Sequence, residues 1–182
     1  MGKALVMVEL QTVSAGLQAA DCMLKAAAIE LLEAQVVCPG KYIVLASGEL
    51  GAVQMALEAV EQRHGGRLLD RFVLGNPHEG LFPALNGSVS VEKPGALGVV
   101  ETFTAASAIV AADAAAKSAD VTLIELRLAR GMCGKSYVTL TGSVAAVEMA
   151  VEKAKASVAE GGLYLDSTVL ANPDPALWKN IL

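Results

Sequence analysis

At 182 residues the chain fits one large or two small domains, and its net charge of −5 with no Lys/Arg cluster argues against a nucleic-acid partner. Hydrophobic residues make up 54% and aromatics only 4%, so alanine carries the apolar content. The most apolar stretch, residues 105–116, is interrupted by Asp113 and falls short of the ~18–20 residues of a membrane span, so no membrane or secretory segment is expected.

In chain order, residues 4–10 read as a short apolar strand, and Thr12 to Ser14 offer capping hydroxyls for the helix that follows. That helix carries Leu17, Ala20, Met23, Leu24 and Ala27 at spacings of three and four, which predicts one buried stripe. Asp21 and Lys25 stand four apart on it, a favourably oriented pair. Strands are predicted over 31–37 and 41–47, joined by Cys38-Pro39-Gly40. A second helix over 50–63 ends at Gly65-Gly66, and a last strand over 66–74 stops at Asn76-Pro77.

The same order then repeats, displaced by about 92 to 96 residues. Strand 96–101 leads to capping Thr104 to Ser107 and a helix with Ile109, Ala112 and Ala116 inward. Asp113 and Lys117 repeat the charged pair. Strands 121–128 and 135–141 flank Ala129-Arg130-Gly131-Met132-Cys133-Gly134, followed by a helix over 144–159 and a strand over 163–170. Gly40-Lys41 matches Gly134-Lys135, and Asn76-Pro77 matches Asn172-Pro173. Each copy is therefore a small α/β (α+β) domain of ferredoxin-like β-α-β-β-α-β order, the first over 4–87 and the second over 96–182, with 88–95 as linker. An alanine-rich surface suits a subunit that hides much of itself in large interfaces.

Those residues resemble the tandem-domain shell proteins of bacterial microcompartments over essentially the whole length. The resemblance rests on Asp21-Cys22-Met23-Leu24-Lys25, the Pro39-Gly40-Lys41 loop, the glycine-led second helix and Asn76-Pro77-His78. Within that family Val37-Cys38-Pro39-Gly40-Lys41-Tyr42 is most similar to the iron–sulfur-binding type of propanediol-utilisation shells. The resemblance implies a homotrimer that forms a pseudohexagonal tile around a central pore, packed edge to edge with other shell proteins in a cytoplasmic polyhedral organelle. It implies one [4Fe–4S] cluster shared by three chains, with Cys38 as the metal ligand from each. Electrons would then pass across the shell to a redox partner enzyme or flavoprotein. It further implies that Pro39, Gly40, Lys41, Met132, Cys133, Gly134 and Lys135 line the pore, and that Lys25 and Lys117 make tile-edge contacts. Two departures stand out: Asn76-Pro77-His78 occupies a turn where the family prefers arginine, and Cys133 is an additional thiol.

Three cysteines, an odd number with no C-x-x-C pair, make a disulfide framework improbable and cannot supply the four thiolates of a cubane from one chain. A threefold ring would multiply one cysteine into three. On spacing alone, Cys38 reads equally as a small buried hydrophobe at a strand end. Cys133 reads as a spare rim thiol, a mixed ligand or a small turn residue, and Cys22 as a packed structural thiol. Lys25 and Lys117 also fit a solvated helix face, while Lys41 and Lys135 would give six positive groups beside the pore. Glu9 and Glu101 occupy matching strand positions, which suggests a repeated structural contact. His78 faces Asp174 in the alignment of the copies, so no shared metal or catalytic duty is expected there. With no convergent Ser/His/Asp set and no phosphate-binding glycine motif, the chain is not expected to be an enzyme. The alternative to a cluster-bearing tile is a cluster-free one whose pore gates a small metabolite.

Overall fold

Ala4–Leu10 forms β1, buried at every position, and it is the spine of the first sheet. The computed structural model describes residues 4–182. It divides into two compact units, one ending at Pro77 and the other spanning His78–Leu182.

In the first unit β1 is followed by α1 (Val13–Ala26), β2 (Glu30–Val37), β3 (Lys41–Gly48), α2 (Leu50–His64) and β4 (Leu68–Gly75). The sheet order is β2-β3-β1-β4 and every pairing is antiparallel. Alternation along β1 sends Ala4, Val6, Val8 and Leu10 toward the helices, where they meet Ala19, Met23, Val53, Ala56 and Val60. Each large side chain buried this way stabilises the fold by roughly 1.5–3 kcal/mol relative to exposure. The other face of β1 carries Leu5 and Met7, which are also fully buried.

The predicted stripe of α1 holds at Ala20 and Met23 but not at its leucines. Leu17 and Leu24 are 55% and 48% exposed, and the helix instead buries Ala15, Gly16, Ala19, Ala20, Cys22 and Met23. Small residues let the helix lie close on β3, and the larger leucines are left outside. Thr12 does cap α1, its hydroxyl accepting from the Ala15 N–H at 3.3 Å. The β4 strand starts two residues later than predicted, because Gly65–Arg67 forms a short 3-10 turn after α2.

The second unit opens with α3 (Leu81–Leu85) and continues through β5 (Ala96–Thr102), α4 (Ala105–Ser118), β6 (Val121–Arg127), β7 (Ser136–Gly142), α5 (Val144–Ala159), β8 (Tyr164–Leu170) and α6 (Pro175–Ile181). Its sheet order, β6-β7-β5-β8, repeats the first topology strand for strand. The register shifts repeat as well, between Glu9 and Leu10 in one copy and Glu101 and Thr102 in the other. Thr104 caps α4 through the Ser107 N–H at 3.2 Å, and Ile109, Ala112 and Ala116 are buried as predicted.

Two short helices were not anticipated. Residues 78–87, read from sequence as the tail of the first copy, lie in the second unit, where α3 packs on β6. The α6 helix places Trp178 against Leu97 and Ile124, with Val91, Val99 and Ile181 around it. His78 and Asp174, aligned in the repeat, do the same local work. His78 Nδ1 accepts from the Gly80 N–H at 3.1 Å, and Asp174 Oδ1 accepts from the Ala176 N–H at 2.7 Å.

Candidate functional site

The first-copy hairpin closes in a three-residue turn, and its geometry follows from Pro39 and Gly40. Val37 and Lys41 pair across the hairpin, so Cys38, Pro39 and Gly40 stand at its tip. The Gly40 N–H donates to the Val37 carbonyl at 2.9 Å, and Gly40 sits at φ +97°, a conformation that costs other residues strain. The Cys38–Pro39 bond is cis. Val37 is buried, Cys38 is half-buried, and Pro39 and Gly40 are exposed. The Cys38 thiol thus sits at the end of a hairpin rather than inside the core.

The second-copy turn is longer and differently folded. Residues 128–135 connect β6 to β7, with Leu128 and Ala129 buried and the Ala129 N–H donating to Ser136 Oγ at 3.0 Å. Ala129, Gly131, Cys133 and Gly134 all take positive φ, and the Lys135 N–H donates to the Met132 carbonyl at 3.1 Å. Met132 is half-buried, Cys133 and Lys135 are exposed, and Gly134 is buried. The turn in this copy therefore presents an exposed thiol one step away from the position that Cys38 holds in the first. Cys22 is buried in α1, its thiol donating to the Ala59 carbonyl at 3.5 Å, as expected of a packed thiol.

Charge around the two turns is not symmetric. Lys41 Nζ lies 2.6 Å from Glu9 Oε1, and the Glu9 side chain is only 4% exposed. Lys41 is thereby compensated by a carboxylate beneath it, whereas Lys135 is exposed and outside its strand. The expected repeat of the Glu9 contact does not occur. Glu101 instead lines a cavity of about 670 Å³ beside Glu125, Arg127, Met132, Tyr137 and Thr139. There the Tyr137 hydroxyl donates to Glu125 Oε2 at 2.6 Å and Arg127 Nε and Nη2 donate to Oε1 at 2.9 and 2.6 Å. Burial, reinforced by that bond to Glu125, pushes the Tyr137 hydroxyl up to about 12, and the same carboxylate raises Arg127. Sequence reading missed this cluster. Its signal was the i,i+2 pair Glu125 and Arg127 on one strand, with Tyr137 directly opposite Arg127 on the next.

The helix lysines differ too. Lys25 and Asp21 pair at 2.6 Å with both side chains well exposed, a pair that contributes a few tenths of a kcal/mol, on the order of 0.3–0.5. Lys117 pairs with Asp113 at the same distance, but Asp113 is buried and also accepts from the His78 N–H at 2.7 Å.

Among the described residues no group of three or more His, Cys, Asp or Glu side chains is placed to hold a metal ion. The donor set fits an iron–sulfur cluster only as a fraction of a site: each chain offers the half-buried Cys38 thiol at one hairpin tip and the exposed Cys133 thiol in the matching turn.

Comparison with known proteins matches the BMC domain twice, at residues 4–77 and 96–173. The chain is 38% identical to the bacterial microcompartment shell protein PduT of Citrobacter freundii over 182 residues, covering 100% of this chain and 99% of that one. It is 37% identical to the carboxysome shell protein CsoS1 of Prochlorococcus marinus over 97 residues, which is 51% of this chain and 94% of the relative. A crystal structure of a microcompartments protein from Desulfitobacterium hafniense DCB superposes with TM-score 0.92 at 42% identity, covering 98% of this chain and 99% of that one. The fused permuted hexameric shell protein MSM0275 from the RMM microcompartment shares the fold at TM-score 0.64 and 24% identity, over 86% of this chain and 81% of the other. Both halves of the sequence, and the strand order they share, place the chain in the BMC-domain family of bacterial microcompartment shell proteins.

Proposed function

We propose that the chain is a non-enzymatic shell tile that assembles as a homotrimer and holds one [4Fe–4S] cluster at its central pore through Cys38 of each chain. The observation that carries this reading is the position of Cys38: half-exposed, at the tip of a tight three-residue hairpin turn, with Met132 at the matching position of the second domain. Cys38 from each chain gives three sulfurs in a three-chain ring and leaves one iron position open. The full-length similarity to PduT supports the shell-tile part of this reading. When bound, such a cluster carries single electrons between the two faces of the shell. The chain's own contribution is mechanical: Pro39 and Gly40 fix the turn and Val37 anchors it in the core. Tile edges carrying Lys25 and Lys117 would meet other shell proteins, and a soluble redox enzyme or flavoprotein would exchange electrons with the pore.

Anaerobic reconstitution with iron and sulfide tests the reading. Broad visible absorbance and a paramagnetic signal on reduction are expected in the native chain and absent in Cys38→Ala. A Cys38→Ala protein that keeps both signals in full removes Cys38 from the site. A native trimer that takes up no iron leaves a metabolite-gating pore as the function.

A further inference from the structure

We infer that Glu9 is a positioning residue for the Cys38 turn, acting through Lys41. Lys41 is the first residue of β3 and pairs directly with Val37, so it forms one wall of the turn that carries Cys38. The strand register puts Glu9 opposite Ile43, which sets Glu9 and Lys41 diagonally on one face of the sheet. Among the described residues Lys41, at 2.6 Å, is the sole polar partner of the nearly buried Glu9 side chain.

A buried carboxylate without its cation is strongly unfavourable, so Glu9 holds the Lys41 ammonium inward and with it the base of the turn. The other wall is the Gly40 N–H bond to Val37. The two contacts together fix the hairpin on both sides of Cys38. In the second copy, which has Met132 at the matching turn, Glu101 lines an open cavity and Lys135 is exposed. The strut is therefore confined to the copy that carries Cys38. This also changes the duty of Lys41: its charge is spent on Glu9 rather than offered to passing anions.

The inference deepens the cluster reading and rests on it for its purpose, but its test separates the two. Cys38 alkylation by iodoacetamide is followed in the cluster-free full chain by peptide mass, alongside iron and sulfide content after reconstitution. Glu9→Gln and Lys41→Met are each expected to speed Cys38 alkylation by about tenfold, the factor for losing one charge-assisted contact, and to lower cluster loading. Lys41→Arg keeps a cation for Glu9 and is expected to retain the native rate. Circular dichroism confirms that each variant is folded before its rate is compared. Native alkylation rates and full loading in folded Glu9→Gln would overturn the inference. If the native chain takes up no iron while Cys38 still responds to Glu9→Gln and not to Lys41→Arg, the strut stands and the cluster reading falls.

Discussion

Gly16 of α1 lies directly beneath the ring of Tyr42 on β3, so close that a methyl group on Gly16 would overlap the ring. The second copy has Ala108 and Ser136 at the matching positions, both fully buried. Volume has moved from the strand to the helix while the helix-to-sheet packing is kept. The Gly16→Ala substitution is expected to cost about 1–3 kcal/mol by overpacking. In a Tyr42→Ser background the same change should be neutral or stabilising, because alanine favours a helix over glycine by roughly 0.8–1 kcal/mol. Denaturant unfolding of the four proteins in the cycle measures the reversal of sign.

Trp178 ties α6 to the second sheet. It is 8% exposed and packs on Leu97 and Ile124. Trp178→Ala removes the largest side chain of that small cluster, and a loss of about 3–5 kcal/mol is expected in the second domain. Thermal unfolding followed by circular dichroism reads the loss. An unchanged thermal stability of the second domain in Trp178→Ala would contradict the packing described.

Tyr137 makes the second domain sensitive to alkali. Its folded value, about 12, lies above the ordinary 10.0, so the fold favours the protonated hydroxyl. The contribution is complete below pH about 10 and is lost as pH rises through the folded value. Stability of the native chain should therefore fall between about pH 10 and 12, and Tyr137→Phe should remove that part of the decline. Phenolate absorbance against pH, with and without Tyr137, is the measurement.

Most of the fold was readable because the chain states it twice. Matching glycines, caps and strand ends fixed the β-α-β-β-α-β order, and Thr12 and Thr104 cap where their hydroxyls suggested. The face of α1 was misread because periodicity weighs leucine above alanine, whereas close packing on β3 selects the smaller side chains. The α6 helix was signalled by Asp174 followed by Pro175, a cap and first-turn proline, but Asn172-Pro173 just before it read only as a stop. The site divided in the same manner. Cys38 was singled out by the family resemblance and not by its spacing, while the Glu9–Lys41 contact depends on strand register, which no local pattern specifies. Matching sequence positions did not guarantee matching contacts, as Glu9 and Glu101 demonstrate.

In the proposed assembly one cysteine per chain becomes a cluster site through a threefold ring. Native mass spectrometry of the anaerobically reconstituted protein tests it directly. The expected species is three chains carrying about four irons and four sulfides, with the metal and sulfide mass absent from a trimer of Cys38→Ala. A native particle that stays monomeric, or a Cys38→Ala trimer that retains the added mass, would contradict it.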